Sequence, residues 1–386
     1  MFLDDLRADL DEIDRLGLVR QRRSQQSPCG PHVLRDGRRY LSFCSNDYLG
    51  LAAAPELGEA LAEGARRWGA GAGASHLVSG HYTAHDDLEQ ALAEFCGCQR
   101  AISFSTGYMA NLAAVGTLAA RGDAIFADRL NHASLVDGAL LSRARLSRYP
   151  HRDLDHLAHL LATTPARRRL IVSDTVFSMD GDLAPVPQLL ELADRHDALL
   201  VLDDAHGLGV LGPQGRGTLA HFELASPRIV LIGTLGKAAG LAGAFVAGNL
   251  SVIEWLVQKA RSYIFTTAAP PALAHALLTA LRLIRGADPQ RAALQALVAR
   301  LRRGLGASRW QLADSATPIQ PLIVGGNHAA LSLSRSLDEA GVWVPAIRPP
   351  TVPEGSARLR ISLSAAHTGG DVDRLLALLS TLEAAP

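Results

Sequence analysis

The chain is poor in several things that would have classified it at once. It has only four cysteines, Cys29, Cys44, Cys96 and Cys98, in 386 residues. That excludes a disulfide-built secreted scaffold and fits reduced thiols in a cytoplasmic protein. Cys96-Gly97-Cys98 lacks C-x-x-C spacing and no second pair stands near it, so no zinc or other metal set is expected. Excess charge of either sign is absent too, with 38 basic against 38 acidic residues, which argues against a nucleic-acid binder carrying a basic stripe. The hydrophobic share is 48%, too high for a disordered chain. No basic, then apolar, leader opens the sequence. Asp4, Asp5, Asp9, Asp11, Glu12 and Asp14 fill that region, and Leu3, Leu6, Leu10 and Ile13 recur at the spacing of an amphipathic helix. The most membrane-like stretch, 229–253, has Lys237 as its one charge, yet glycines, Thr234 and Asn249 break it into two short strand-like runs. It is therefore not read as a bilayer span.

What is present is a regular alternation. A length of roughly 150 residues per domain suggests two or three units. Val33–Cys44 reads as a hairpin turning at Asp36-Gly37. From Ala101 onward, short Val/Ile/Leu-rich runs (101–105, 123–127, 170–173, 198–202, 228–233 and 244–247) alternate with helical patterns such as 111–120, 154–162 and 187–195. Such a pattern predicts a mostly parallel sheet covered on both faces. After Pro270-Pro271 come helices over 272–284 and 290–305, then strand candidates at 319–324, 342–346 and 358–363. The expected architecture is α/β. It has an N-terminal arm with its hairpin (1–45), a large α/β domain (46–270) and a small α+β C-terminal domain (271–386).

In open α/β sheets, ligands bind beyond the carboxyl ends of the strands. Thr106-Gly107-Tyr108 follows the first run and leads into a helix, whose free N–H groups and dipole suit a phosphate. Asp128, Asn131 and His132 follow the second run. Asp174 and then Phe177-Ser178-Met179-Asp180-Gly181 follow the third. Asp203-Asp204-Ala205-His206-Gly207 and Thr234-Leu235-Gly236-Lys237 follow the next two. Taken singly, each has an ordinary reading as a cap, a loop residue or a solvated surface group. Together they supply what pyridoxal phosphate requires. A lysine forms the Schiff base, a carboxylate keeps the ring nitrogen protonated, donors hold the phosphate, and polar groups meet the phenolic oxygen.

The run Asp203-Asp204-Ala205-His206-Gly207-Leu208-Gly209 with Thr234-Leu235-Gly236-Lys237 resembles fold-type I pyridoxal-phosphate enzymes, specifically the α-oxoamine synthases. Three further stretches are similar to that family's signatures. They are Ser45-Asn46-Asp47-Tyr48-Leu49-Gly50-Leu51, Leu77-Val78-Ser79-Gly80-His81 with His85 and Leu88-Glu89, and Val176 to Gly181. The resemblance covers nearly the whole chain. It implies a fold-type I transferase with pyridoxal 5'-phosphate as cofactor. Lys237 would carry the cofactor, Asp203 would pair with the ring nitrogen, and His206 and Ser178 would flank the phenolic oxygen. His132 would stack on the ring and donate to a thioester oxygen. The Gly107 and Tyr108 amides with Thr234 would hold the phosphate. Family members are homodimers with shared sites, so Thr266 or Thr267 would reach a neighbouring subunit's phosphate. Arg348 would bind the amino-acid carboxylate, with Asn46 nearby, and Arg20 and Thr351 would touch substrate, although Arg22 and Arg23 stand beside Arg20. Two departures stand out. Asp174 replaces the family's usual glutamate, and alanines separate the glycines of 70–74 where relatives often have serine.

The segments Ala346 to Pro353 and Ile319 to Gly325 are similar to the biotin-pathway branch of the family. That branch implies condensation of L-alanine with a pimeloyl thioester, carried on acyl carrier protein or coenzyme A. The alternative within the family is glycine with acetyl-coenzyme A, or serine with a long acyl thioester.

Overall fold

The computed structural model describes residues 2–306, 308 and 310–384. Its strands in chain order are β1 (His32–Arg35), β2 (Arg38–Ser42), β3 (Arg100–Phe104), β4 (Ala124–Asp128), β5 (Arg145–Tyr149), β6 (Arg169–Asp174) and β7 (Ala198–Asp203), followed by β8 (Ile229–Thr234), β9 (Ala244–Gly248), β10 (Gln311–Leu312), β11 (Ile319–Gly325), β12 (Val342–Trp343), β13 (Ala346–Ile347) and β14 (Ala357–Ser362). The chain divides into two compact units. The larger comprises 51–178 and 183–289, and the smaller 1–50, 179–182 and 290–386.

The larger unit is built on a seven-stranded sheet of order β3-β9-β8-β7-β6-β4-β5. Strand β9 runs antiparallel to both its neighbours and the remaining pairs are parallel. The apolar stretch 229–253 resolves into β8, β9 and the start of the helix Leu250–Lys259. Residues of β8 and β9 such as Val230, Leu231, Ala244, Phe245 and Val246 are fully buried. Their apolar character is that of central strands covered on both faces. The helix Gly107–Leu118 buries Ala110, Ala113, Ala114 and Val115 against this sheet and the helix Ala133–Ser142.

Strand β5 has no counterpart in the sequence reading. It lies at the sheet edge, and its Arg145, Ser147 and Arg148 are only partly covered. An edge strand loses the apolar run by which a central strand is recognised.

The smaller unit gathers the N-terminal hairpin with the C-terminal segments. In the hairpin Arg35 pairs with Arg38 across Asp36 (φ 50°) and Gly37 (φ 72°), the two positive-φ positions that a tight hairpin turn demands. β12 adds to it in parallel, giving the order β1-β2-β12. A second sheet has the order β10-β11-β14-β13.

The expected strand 342–346 is in fact two. β12 joins the hairpin and β13 joins β14. Pro345, which has no N–H for a ladder, stands between them and accepts from the Arg360 N–H at 3.1 Å. The helix Pro271–Arg285 falls in the larger unit, so the boundary lies between 289 and 290 and not at 270. Its stripe of buried Ala272, Ala276, Ala280, Leu277 and Leu281 packs closely on the helices Pro55–Trp68 and Thr83–Cys96. The first helix, Phe2–Arg15, is amphipathic as expected, yet none of its residues is buried and Phe2, Leu3 and Leu10 are exposed. Among the described residues, no helix is long and apolar enough to cross a membrane.

Candidate active site

In the larger unit, the carboxyl ends of adjacent strands bring together most of the residues singled out by sequence. Asp203 ends β7 and pairs in register with Asp174 at the end of β6. His206 follows in the next turn, Thr234 ends β8, and Lys237 lies three residues on. Lys237 Nζ is 2.9 Å from Nε2 of the buried His206. The chain has one other lysine, Lys259, which ends its helix 5.6 Å from the Trp255 ring. Lys237 is therefore the one lysine at this sheet edge.

The helix Gly107–Leu118 starts at the same edge. Thr106 caps it by accepting from the Met109 N–H at 3.2 Å. The amides of Gly107 and Tyr108 are thus the first-turn donors that have no partner within a helix. A Cβ placed on Gly107 would meet only Thr234, at 3.9 Å, so this helix start and the Thr234 hydroxyl border one small space. The Tyr108 hydroxyl, half exposed, donates to Asp137. A helix N-terminus with a facing hydroxyl, a lysine amine and a carboxylate is the donor and acceptor set that pyridoxal phosphate needs, and the residues present fit it.

Asp203 is held on both oxygens. Oδ1 accepts from the Ala205 N–H at 3.0 Å and Oδ2 from Asn111 Nδ2 at 2.7 Å. Asn111 Nδ2 also donates to Ser134 Oγ at 2.7 Å, and Ser134 Oγ lies 2.6 Å from His132 Nδ1. His132 caps the helix Ala133–Ser142, and its own N–H donates to Asp174 Oδ2 at 2.7 Å. Burial and then the Asp203 charge push the Asp174 carboxyl well above the usual carboxylate range. The imidazole of His132 is pushed below its ordinary value, chiefly by burial. Ser178 lies partly buried in the turn between the bridged residues Val176 and Leu183.

The second aspartate of the motif has a different task. Asp204 is fully buried and accepts from Thr175 Oγ1 at 2.5 Å, Thr218 Oγ1 at 2.5 Å and the Thr218 N–H at 2.9 Å. Burial raises its carboxyl to about 6. It fastens the loop that carries His206.

Sequence reasoning missed Asn111 and Ser134. The available signal was a lone amide on a helix that is otherwise apolar on most sides.

The smaller unit holds the remaining candidates. Arg20, Arg348 and Thr351 line one cavity of about 300 Å³. The Arg348 guanidinium donates to the carbonyls of Gly17 and, at 3.1 Å, of Val19, while its Nε is buried without a partner. Burial, and secondarily the charge of Arg20, lower its pKa from the ordinary arginine value. Of the neighbouring arginines, Arg23 is paired with Asp338 at 3.0 Å. Asn46 Oδ1 accepts from the Tyr48 hydroxyl at 3.2 Å and from Arg360 at 3.1 Å.

The larger unit also brings together three histidines that sequence reasoning did not connect. Ligand-capable atoms of His76, His81 and His85 lie within 4.8 Å of one another. Both ring nitrogens of His85 are already engaged, one accepting from the Tyr82 N–H at 3.0 Å and the other 2.9 Å from the Ala269 carbonyl. The His76 and His81 Nδ1 atoms lie 2.7 Å apart, at hydrogen-bond distance.

Comparison with known proteins agrees with this geometry. Residues 38–379 match the family model described as aminotransferase class I and II. The 8-amino-7-oxononanoate synthase of Aromatoleum aromaticum is 63% identical over all of this chain and all of its own. That of Azoarcus sp. is 62% identical over 99% of this chain and 98% of its own. A serine palmitoyltransferase variant from S. paucimobilis, solved with a bound PLP–myriocin aldimine, superposes with a TM-score of 0.92 at 30% identity, over 98% of this chain and 96% of that one. With its sheet-edge lysine, its paired carboxylate and full-length relatives of this kind, the chain belongs to the class I and II aminotransferase family of pyridoxal-phosphate enzymes, in the α-oxoamine synthase branch that contains the 8-amino-7-oxononanoate synthases.

Proposed function

We propose that this enzyme joins L-alanine to a pimeloyl thioester, giving 8-amino-7-oxononanoate, CO2 and the free thiol of the carrier, a step of biotin biosynthesis. The observation that carries the reading is the single sheet edge of Asp203, His206, Thr234 and Lys237 beside the Gly107 helix start, in a chain 63% identical to a relative of that name. The relatives named above give the alternative with glycine and acetyl-coenzyme A no support.

Lys237 would hold the cofactor and Asp203 its ring nitrogen. Gly107, Tyr108 and Thr234 would take the phosphate, Ser178 and His206 the phenolic oxygen, and His132 the ring face. Pyridoxal phosphate, when bound, supplies the electron sink for a carbanion at the amino acid's Cα. The chain's own residues do the rest. Lys237 Nζ removes the Cα proton of alanine and returns it to the product, with His206 Nε2 holding the amine in place between the two transfers. Arg348 binds the alanine carboxylate, with Asn46 beside it in this assignment, and Arg20 and Thr351 contact substrate. His132 donates to the thioester oxygen as negative charge develops there. Carbon–carbon bond formation expels the thiolate, and the alanine carboxylate leaves as CO2. Coenzyme A and acyl carrier protein present the same thioester to this chemistry. The resemblance also supports a homodimer in the cytoplasm, with Thr266 or Thr267 reaching the neighbouring phosphate. Sedimentation of the holoenzyme tests the dimer.

The assay combines protein, pyridoxal phosphate, L-alanine and a pimeloyl thioester and follows CO2 and free thiol. Turnover with L-alanine well above that with glycine or L-serine is expected. Lys237→Ala should show none, and borohydride should fix the cofactor on the peptide containing Lys237 and not on that containing Lys259. A Lys237→Ala enzyme with full activity would refute the assignment.

A further inference from the structure

The Asp203–Asn111–Ser134–His132 chain has a direction. Asn111 is 2% exposed and sits one turn inside a helix packed between the sheet and its neighbour. Its amide nitrogen supplies one hydrogen to Asp203 Oδ2 and the other to Ser134 Oγ, each at 2.7 Å. The reverse orientation of the amide would set its oxygen against the Asp203 carboxylate, acceptor against acceptor, so the nitrogen must face this way. Ser134 Oγ, having accepted from Asn111, keeps one hydrogen, and His132 Nδ1 lies 2.6 Å away. The Ser134 N–H points at the same Nδ1 from 3.3 Å. With two donors aimed at it, Nδ1 is the acceptor, and the imidazole carries its proton on Nε2.

One further fact shows that Asn111 is not there for packing. Its Oδ1 is buried without a partner. A leucine of similar size would fill the space without that penalty.

We propose that Asn111 is a positioning residue that sets two groups through one amide: the orientation of the Asp203 carboxylate directly, and the Nε2–H tautomer of His132 through Ser134. The inference rests on the roles given above to Asp203 and His132 and adds the group that couples them. Its consequence is that the ring-nitrogen partner and the thioester-oxygen donor are linked through one amide, with the Ser134 N–H holding the His132 end in the same sense.

Two variants separate the limbs. Ser134→Ala removes one buried hydroxyl, leaves the Asn111–Asp203 bond in place and leaves His132 Nδ1 with the long Ser134 N–H contact alone, which weakens its tautomer preference. Asn111→Leu breaks both limbs. Measurements are made on the holoenzyme. One is the pH titration of the bound cofactor's absorption. The other is the two-bond 15N–1H spectrum of histidine-labelled protein, with His132 assigned by its loss in His132→Asn. Wild type should show the Nε2–H pattern. Ser134→Ala should shift His132 toward mixed tautomers, leave the cofactor titration unchanged and lower kcat about tenfold with KM held. Asn111→Leu should show the same tautomer change and also move the cofactor titration in the direction of Asp203→Asn.

Should Asn111→Leu fail to fold, the His132 pattern in wild type and Ser134→Ala still decides, because Ser134→Ala keeps the packing. An Nδ1–H pattern in wild type overturns the proposal, as does a cofactor titration in folded Asn111→Leu identical to wild type. Both readouts are independent of the acyl donor. A wild type that binds cofactor but fails to condense alanine would therefore reject the proposed reaction and leave this inference standing, and the reverse result would separate them equally well.

Discussion

The candidate site groups of the two units are held in different ways. In the larger one, the aspartates are buried and answered by side-chain donors and backbone amides together. Asp203 is held by Asn111 and the Ala205 amide, Asp204 by two threonines, and Asp174 by the His132 amide. In the smaller one, Arg348 has no carboxylate partner among the described residues. Backbone carbonyls of Gly17 and Val19 take part of its guanidinium, Arg20 lines the same cavity, and one buried nitrogen is left without a partner. A buried group whose donors are already in place is set before substrate arrives. A cation held by weaker neutral acceptors beside another cation awaits an anion. On the proposed assignment, the larger unit would fix the chemistry and the smaller would read the substrate.

If that division is right, the largest effect of a conservative change falls on the larger unit. Asp203→Asn keeps the shape and loses the charge. We expect kcat to fall on the order of 10²–10³-fold, the scale for removing a preorganised electrostatic partner, with cofactor still bound. An undiminished kcat would mean that the Asp203 carboxylate is structural.

The neighbouring Asp204 sharpens this. A Cβ on Gly207 would stand 2.1 Å from Asp204 Oδ1 and 2.4 Å from Thr218 Oγ1. Gly207→Ala must therefore displace a buried carboxylate from its donors, and we expect a loss of about 2 kcal/mol in denaturant unfolding. Adjacent aspartates would then separate into one that affects rate and one that affects stability. A Gly207→Ala protein as stable as wild type would show that the loop has another support.

On the smaller unit, Arg348→Lys should act on substrate binding. Lysine keeps the charge and loses the planar fork, so a rise of roughly tenfold in KM for alanine is expected, with kcat nearly unchanged. A fall in kcat with constant KM would place Arg348 on the chemical side of the division and break the comparison.

Much of this was legible in the residue order. The central strands announced themselves because burial on both faces demands unbroken Val, Ile and Leu, and the polar residues after them stood out for that reason. Asp36-Gly37 was legible because only a few residues accept positive φ. The edge strand β5 was not, since one open side lets Arg145 and Arg148 interrupt the apolar run. Nor was the break between β12 and β13, which depends on which sheet each half joins. At the site, Lys237, Asp203 and His206 sit at strand ends and could be found by position. Asn111 and Ser134 lie inside helices, where nothing local shows that they meet. Their partnership exists only once the helices Gly107–Leu118 and Ala133–Ser142 are packed together.

The last effect concerns the acid limb of stability, to which the buried His76 of the larger unit contributes and the arginines of the smaller do not. His76 is stacked on Tyr263 at 4.8 Å, faces His81 and His85, and is pushed down to about 3, chiefly by burial. Its folded value lies below the ordinary 6.5. As pH falls from 6.5, the unfolded chain therefore takes up a proton that the folded one refuses. The contribution of His76 is present above about 6.5 and is lost progressively toward about 3. Asp204, raised to about 6, works the other way. Its contribution is complete below the unfolded carboxylate range and is lost as pH rises through about 6. The total slope mixes these with other shifted groups, Asp174 and His132 among them, so the difference between wild type and a variant is the quantity to measure. His76→Phe keeps a ring on Tyr263 and removes the titration. Between pH 6 and 4, urea unfolding of the variant should fall less steeply than that of wild type, by at most one proton, or about 1.4 kcal/mol per pH unit. Parallel slopes would show that the His76 environment opens to solvent before it titrates.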